Sequence, residues 1–237
     1  MATQAVKPTS KATPAKASAT PVAAPQSTGE RFSDRAVAWI KQHKQLSSWV
    51  GTIVLVAAVL FVWQLSTRRR AEDIANRDLQ GARFAFENQN MPLAASELAK
   101  VVENYDGTNA AEEARVLLAN VRLLQGQPQQ AVTVLKDWAP GAEQAYRSQA
   151  LSLLGAAHEN LGQFRDAAQA YEKASGAARL DFQRAQLLSD AGRAWTTAGD
   201  TSRAVAAYRR IVKDFPKESA VTEAKVRLGE LTKGSVS

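Results

Sequence analysis

Cysteine is absent from this chain of 237 residues, and histidine occurs only twice. The absence of cysteine excludes disulfides, thiolate catalysis and metal sites built on sulfur ligands. It does not choose a compartment, because cysteine-free chains occur in the bacterial cytoplasm and in the periplasm alike. The two histidines, His43 and His158, leave few imidazole groups for metal binding or acid–base chemistry.

Short catalytic and nucleotide-binding signatures are also missing. The sequence contains no HExxH, no GxxxxGK[ST] and no GxSxG, which mark zinc peptidases, phosphate-binding loops and serine hydrolases. Glu112 and Glu113 are adjacent on a predicted helix, so their side chains diverge and do not form an acid–base pair. We therefore predict a protein that is not an enzyme, with no cofactor and no metal site.

Positive charge is concentrated at one end of the chain. Residues 1–70 contain 10 Lys and Arg against 2 acidic residues, whereas residues 71–237 contain 20 against 21. The net charge of +7 therefore comes from the N-terminal part alone. Because the larger C-terminal part is nearly neutral and has no basic stripe, the sequence predicts no binding to nucleic acid.

A run of 21 residues, 47–67, contains no charge and reads SSWVGTIVLVAAVLFVWQLST. As a helix it would be about 31 Å long, close to the roughly 30 Å hydrocarbon core of a bilayer. Trp49 and Trp63 lie near its two ends, where indole rings prefer the headgroup region. The alternatives are a buried core helix, for which the run is long, and a cleaved signal peptide, for which 46 preceding residues are too many. We predict one uncleaved transmembrane helix.

Two short segments precede this run. Residues 1–29 are rich in Ala, Thr, Pro, Ser and Lys and have almost nothing to bury, so we expect a disordered tail. Residues 30–46 place Phe32 and Trp39 at helical spacing, with basic residues on the other faces. This pattern is typical of a basic amphipathic helix on a membrane surface. Its residues 31–44 would contact anionic lipid headgroups, although a merely polar lead-in to the membrane helix is the alternative.

Beyond the membrane segment, helix-favouring residues dominate and the sequence repeats. The stretches LLGAAHENLGQFRDAAQAYEKA (153–174) and DAGRAWTTAGDTSRAVAAYRRI (190–211) share small, aromatic or His, Gly, Ala and Tyr positions at one spacing. Two weaker copies precede them. The expected turns of the four copies are 37, 36 and 37 residues apart, at Gln89, Gly126, Gly162 and Gly199. Such a period indicates stacked helix pairs.

The ends of these helices can also be predicted. Pro92 and Pro128 lie where second helices should begin, a position that tolerates the missing N–H group. The segment SAVTEAKVRLGEL (219–231) resembles only a first helix, so it predicts an unpaired helix that caps the stack. We expect residues 72–234 to form one all-α domain of about four helix pairs plus this capping helix.

These positions resemble the tetratricopeptide repeat (TPR), a pair of antiparallel helices in about 34 residues. The resemblance is carried by Leu154, Gly155, Gly162, Ala167, Tyr171, Gly192, Gly199, Ala204, Tyr208 and Pro216. It implies an α-solenoid in which small residues allow close helix packing and the aromatic residue fills the gap toward the next pair. Ala167 and Ala204 should then be buried at helix crossings, and Trp138 and Trp195 should be core residues.

The order of the segments resembles a narrower group. A tail, the lead-in DRAVAWIKQHKQL, one anchor ending near Trp63 and Ala-rich repeats are similar to the YfgM-like family, ancillary subunits of the bacterial SecYEG translocon. This resemblance, over residues 32–210, implies a scaffold accessory to the Sec translocon or to the handling of exported proteins. Its partners would be translocon subunits, periplasmic chaperones or exported chains. The longer tail and the C-terminal DFPKESAVTEAKVRLGEL depart from the family and leave open a structural subunit that caps or assembles another membrane complex.

The charges beside the anchor do not decide its orientation. Within about 20 residues, four basic residues precede the run and five follow it, which is a tie under the positive-inside rule. The lysines of the tail, the preference of a basic helix for the anionic cytoplasmic leaflet and the family resemblance favour a cytoplasmic N-terminus and periplasmic repeats. The triplet Arg68, Arg69 and Arg70 favours the reverse, with the repeats in the cytoplasm.

Partner-binding residues are expected on the first helix of each pair, which lines the concave face of such a stack. The positions there that do not pack form a mixed, mostly polar surface suited to peptide segments or partner domains. These candidate residues are Asn76, Arg83, Asn120, Gln149, Ser152, Glu159, Asn160, Gln186, Asp190 and Arg193. The alternative is that they are ordinary solvated residues.

Overall fold

The computed structural model describes residues 44–232, so the predicted tail (1–29), most of the predicted amphipathic helix (30–46) and the last five residues lie outside it. The described part consists of nine α-helices and one 3₁₀ turn, with no strand. The helices are α1 (Lys44–Glu87), α2 (Met91–Asn104), α3 (Asn109–Leu124), α4 (Pro128–Leu135), α5 (Gln144–Asn160), α6 (Phe164–Ala177), α7 (Asp181–Thr197), α8 (Thr201–Asp214) and α9 (Ala220–Thr232), and the 3₁₀ turn is Ala139–Gly141. The all-helical prediction is confirmed for these residues.

The chain divides after Leu60 into two units. In the first unit, the described residues 44–60 belong to α1. In the second, α1 continues to Glu87 without a break between residues 67 and 72, where the sequence suggested the end of the membrane segment. Among the described helices, α1 alone is long and apolar enough, by length and composition, to cross a membrane.

Four turns join the first and second helices by one backbone pattern. Gln89, Gly126, Gly162 and Gly199 all have positive φ, from 59° to 76°. In each turn this residue donates to the carbonyl three residues earlier and the next residue to the carbonyl five earlier, at 2.8–3.0 Å. This is the pair of hydrogen bonds that ends a helix on a left-handed residue. The four predicted turn positions are confirmed.

The second helices begin as their sequences indicate. Pro92 lies in the first turn of α2, and Pro128 is the first residue of α4. The side chain of Asn90 accepts from the N–H of Leu93 at 3.2 Å and caps α2. Asp200 caps α8 in the same way, through the N–H of Arg203 at 3.1 Å. These capping groups satisfy N–H groups that a helix start leaves without partners.

The core of the repeat domain is built mostly of alanine. Ala167 and Ala204 are both completely buried, as predicted. The packing is continuous along the stack because α3 contributes to two core clusters, with Leu118 in the first and Val116 in the second. Each helix pair is thus held by its neighbours, which is the usual source of stability in a solenoid.

The two tryptophans of this domain differ. Trp195 is 1% exposed, and its indole N–H donates to Glu172 at 2.9 Å. Trp138 is only partly buried, so the expectation of a core residue is not fully met. The reason is that α4 ends at Leu135, and Trp138 lies in the irregular segment that follows, with the guanidinium of Arg115 5.6 Å from its ring centre.

Candidate functional site

Polar contacts link neighbouring first helices, which are α1, α3, α5, α7 and the unpaired α9. Arg83 of α1 forms an ion pair with Glu113 of α3. At the other end of the stack, the hydroxyl of Ser189 in α7 donates to Glu223 of α9 at 3.3 Å. The first helices therefore form a continuous surface along which the candidate residues are distributed.

A groove of about 530 Å³ lies between α5 and α7. It is lined by four of the predicted binding residues, Gln149, Ser152, Gln186 and Asp190. Phe182 and Leu187 add apolar surface, and Phe182 remains 55% exposed. The groove therefore combines amide, hydroxyl and carboxylate groups with an accessible aromatic ring.

A second groove of about 350 Å³ adjoins the first, because Ala145, Ser148 and Gln183 line both. Its other walls include Arg179 and Leu180 from the connection between α6 and α7. We name the two grooves together the α5–α7 trough.

Asp190 is the only ionisable residue that lines the larger groove. Its carboxylate accepts a hydrogen bond from Arg193 at 3.4 Å. Burial is the largest influence on the pKa of Asp190 and raises it, and the opposing effect of Arg193 does not restore the ordinary value. Asp190 thus keeps a raised pKa even with its contacts to Arg193 and Gln186, so a further cation nearby would stabilise its charged form.

Glu159 and Arg193 form an ion pair between α5 and α7. Glu159 also accepts from the hydroxyl of Tyr171 at 2.9 Å. Burial raises the pKa of Glu159, but the hydrogen bonds from Arg193 and Tyr171 and the charge of Arg193 together outweigh burial, so the pKa lies below its usual value. Both charged residues are predicted binding residues, yet within the domain they satisfy each other.

The remaining predicted residues do not line the trough. Asn76 donates to the backbone carbonyl of Glu72 at 2.9 Å within α1, and Arg83 is engaged in its ion pair with Glu113. Asn120 is partly buried in α3, and Asn160 is the exposed last residue of α5. The structure thus gathers into one site only the candidates in the middle of α5 and α7.

A tetratricopeptide repeat-like domain matches residues 69–189, slightly more than half of the chain. The chain belongs to this family. A tetratricopeptide repeat also matches residues 182–218, which continues the array through α7 and α8. A comparison with curated proteins finds no significant match.

Solved structures with the same fold include a tetratricopeptide repeat protein from Parabacteroides merdae, with 12% identity and a TM-score of 0.55. The match covers 67% of this chain and 60% of that protein, so this chain spans less than two thirds of its length. Two structures of a putative kinesin light chain with nearly identical TPR-like repeats, from Podosopora anserina, are 19% identical with a TM-score of 0.52. These matches cover 67% of this chain and 85% of each structure. At such identities the likeness concerns the fold alone.

The TPR-like fold is typically a non-catalytic scaffold for protein–protein interaction, and no enzyme family is indicated. Over residues 44–232 there is no group of three side chains able to hold a metal ion. His158 lies 2.6 Å from the side chain of Gln163 through its Nδ1 atom, so it takes part in the turn after α5.

The structure adds trough residues that sequence reasoning missed. Leu180 and Phe182 are apolar residues at the start of a first helix, a position that suggests burial. They are instead 52% and 55% exposed. Arg179 and Ser219 lie outside the helices, where the repeat pattern assigns no role. A signal in the sequence was the apolar pair Leu180 and Phe182 that flanks the first residue of α7, since the buried positions of this helix begin only at Ala185.

Proposed function

We propose that this chain is a non-catalytic scaffold that binds a protein partner in the α5–α7 trough. The observation that carries the proposal is an open cleft lined by an exposed aromatic ring and by amide side chains, of which Gln186 also hydrogen-bonds Asp190. Phe182 offers apolar contact area, while Gln149 and Gln186 can each donate to and accept from a peptide backbone. Extended peptides are commonly recognised through backbone hydrogen bonds combined with side-chain pockets.

A membrane anchor is the second part of the proposal. Residues 47–67 of α1 would cross the bilayer once, with Trp63 at one headgroup level. The support is the uncharged composition and length of this run, together with the net positive charge of residues 1–70. Residues 31–44, of which 31–43 lie outside the described range, would contact anionic lipids.

The anchored scaffold would serve protein export at the bacterial inner membrane, as an accessory of the Sec translocon or in the periplasmic handling of exported chains. The support is the order of tail, lead-in, anchor and repeats, which is similar to that of the YfgM-like family. The N-terminus would then be cytoplasmic and the repeats periplasmic. The alternative is a structural subunit that caps or assembles another membrane complex, with the repeats in the cytoplasm.

The test is co-purification of the full chain in mild detergent, with partners identified by mass spectrometry. The wild type is compared with Phe182→Ala in the trough and with Phe84→Ala as a matched control, because Phe84 is 69% exposed and lies outside the trough. We expect Phe182→Ala to lose the main partner and Phe84→Ala to retain it. Retention of every partner by Phe182→Ala would overturn the trough as the binding site. Translocon subunits or chaperones among the partners support the export role, whereas one stoichiometric complex of another kind supports the alternative.

A further inference from the structure

The α5–α7 trough carries opposite charges at separate positions. Asp190 is the one ionisable residue of the larger groove, and Arg179 is the one ionisable residue of the smaller groove. The shared residues Ala145, Ser148 and Gln183 lie between these two parts. A ligand that fills both grooves therefore meets a carboxylate in one and a guanidinium in the other.

Arg179 is available to a ligand, unlike its basic neighbours. Arg184 donates to the carbonyl of Ala178 at 2.8 Å, and Arg147 donates to the carbonyl of Ala142 at 2.9 Å. Within residues 44–232, Arg179 is exposed and has no hydrogen bond or ion pair. An exposed cation with no internal partner can pair with an anion at little cost in desolvation.

The spacing of the two charges sets the length of a matching segment. Asp181 and Asp190 belong to α7, and nine residues of helix correspond to a rise of about 13 Å. Arg179 lies two residues before α7 begins. Because an extended chain advances about 3.3 Å per residue, two ligand residues roughly four to five positions apart would reach both charges.

Leu180 and Phe182 lie between Arg179 and Asp190 in sequence, at the Arg179 end of the span, and both are exposed. They give the trough apolar surface between its two charges. A free carboxylate terminus would meet the carboxylate of Asp190 in the larger groove, and the cation beside it, Arg193, already pairs with Asp190 and Glu159. The lining therefore fits an internal stretch of peptide better than a C-terminal end.

We infer that the α5–α7 trough takes an extended internal segment of a partner protein, with a basic residue at Asp190, an acidic residue at Arg179 and an apolar side chain between them. This inference rests on the proposed function and names the chemistry of its partner. The raised pKa of Asp190, caused first by burial, agrees with it, because a bound cation would compensate that carboxylate.

The test uses the full chain in detergent and blocked, fluorescently labelled nonapeptides. The reference peptide has one lysine and one glutamate five positions apart, with leucine between them, and it is made in both orders. Two further peptides replace the lysine or the glutamate by glutamine. We expect Asp190→Asn to weaken binding of the lysine-containing peptides about fivefold and to leave the peptide without lysine unchanged. Arg179→Gln should weaken the binding of the glutamate-containing peptides only, about twofold, because the pair between Arg179 and the glutamate is more exposed to solvent.

Asp166→Asn and Arg165→Gln serve as controls, since both residues are exposed on α6 and line neither groove. Helical circular dichroism of each variant checks the fold, and the exposed Arg179→Gln keeps the test valid if Asp190→Asn is unstable. If Phe182→Ala weakens the binding of all peptides while the charge variants change the binding of none, the inference about charge is overturned and the trough remains a binding site. If no peptide binds and Phe182→Ala also retains every partner in co-purification, both proposals are overturned.

Discussion

A β-carbon added to Gly192 would lie 2.6 Å from Cζ of Tyr208, closer than any carbon contact allows. The ring of Tyr208 is 1% exposed and packs directly on the glycine. The same arrangement recurs one repeat earlier, where a β-carbon on Gly155 would lie 2.7 Å from Tyr171. The small residue and the aromatic residue of the repeat motif thus pack against each other, the small residue on the first helix and the aromatic residue on the second.

Gly192→Ala should destabilise the repeat domain. The added methyl group overlaps a buried ring that has little room to move, and overpacking of this kind typically costs about 1–3 kcal/mol in the free energy of unfolding. The measurement is urea unfolding of the full chain in detergent, followed by circular dichroism.

Gly81→Ala is the matched control for this substitution. Gly81 is an exposed glycine of α1, and a β-carbon there would meet nothing within 4 Å. This variant should gain up to about 1 kcal/mol from the better helix propensity of alanine. Equal stabilisation by Gly192→Ala and Gly81→Ala would contradict the contact with Tyr208.

Ala167→Leu should also overpack the core. Ala167 is completely buried in α6, so three additional carbons have no space, and the expected loss is about 1–3 kcal/mol. Thermal unfolding of the full chain is the measurement. Ala206→Leu in α8 is the control, because Ala206 is exposed and the larger side chain can extend into solvent. A melting temperature of Ala167→Leu that matches that of Ala206→Leu would show that the repeat register is wrong.

Gln89→Gly should stabilise the first helix turn. Gln89 has φ of 59° and is the only residue other than glycine with positive φ in residues 44–232. Left-handed backbone costs most side chains about 1–2 kcal/mol, of which the greater freedom of glycine in the unfolded chain removes a part. We therefore expect a gain of about 0.5–1 kcal/mol by urea unfolding. Gln169→Gly, at an exposed position in the interior of α6, should instead lose about 1 kcal/mol, and a loss at both positions would contradict the left-handed turn at Gln89.

The contribution of Glu159 to stability should depend on pH. Burial raises its pKa, but the hydrogen bonds from Arg193 and Tyr171 and the charge of Arg193 outweigh burial, so the pKa in the folded protein lies below the ordinary 4.5. Its ionised form therefore stabilises the fold above about pH 4.5, and this stabilisation is lost as the pH falls through the folded pKa. Glu159→Gln should be less stable than the wild type at pH 7, and the difference should shrink below pH 4.5.

The effect of Asp190→Asn on stability should change with pH in the opposite direction to that of Glu159→Gln, so this variant serves as the comparison. Burial raises the pKa of Asp190 above its ordinary 3.8, so its ionised form costs stability at neutral pH and this cost disappears as the pH falls. The variant should match or exceed the wild type at pH 7 and lose that advantage in acid. Urea unfolding at pH 7 and pH 3.5 measures both variants, and parallel pH profiles would contradict the different environments of the two carboxylates.

Orientation in the membrane can be tested with single cysteines, since the chain has none of its own. Ser202→Cys places a thiol on the exposed surface of α8, and Ser10→Cys places one in the tail. With the repeats in the periplasm, a membrane-impermeant maleimide should label Ser202→Cys in cells whose outer membrane has been permeabilised. Ser10→Cys should be labelled only after lysis. The reverse pattern would place the repeats in the cytoplasm and remove the export role.

Much of the fold could be predicted because its determinants are local. The turn at Gly162 needs a left-handed residue at one position of a 36–37-residue period, and Pro128 fits the first turn of a helix wherever that helix packs. The burial of Ala167 and Ala204 follows from helical spacing within a repeated motif. The membrane segment rests on composition and length in the same way, and it stays a prediction.

The site could be predicted only in part. Helical spacing placed Gln149, Ser152, Gln186 and Asp190 on the non-packing sides of two first helices, and these four residues do line one groove. The same reasoning placed Glu159 and Arg193 among the binding residues. It could not show that they pair with each other, because the two are 34 residues apart in the chain.

The sequence by itself determined the helices, their turns and the small-residue contacts, since these depend on the backbone preferences and spacing of residues near one another. Tertiary structure alone decided which polar side chains neutralise each other and which remain free. It left Phe182 exposed in the same groove as Asp190 and put Arg179 in the adjoining groove, because the distance and angle between stacked helices depend on the packing of whole repeats. Charge pairing in a solenoid follows from that packing, and a period in the sequence does not encode it.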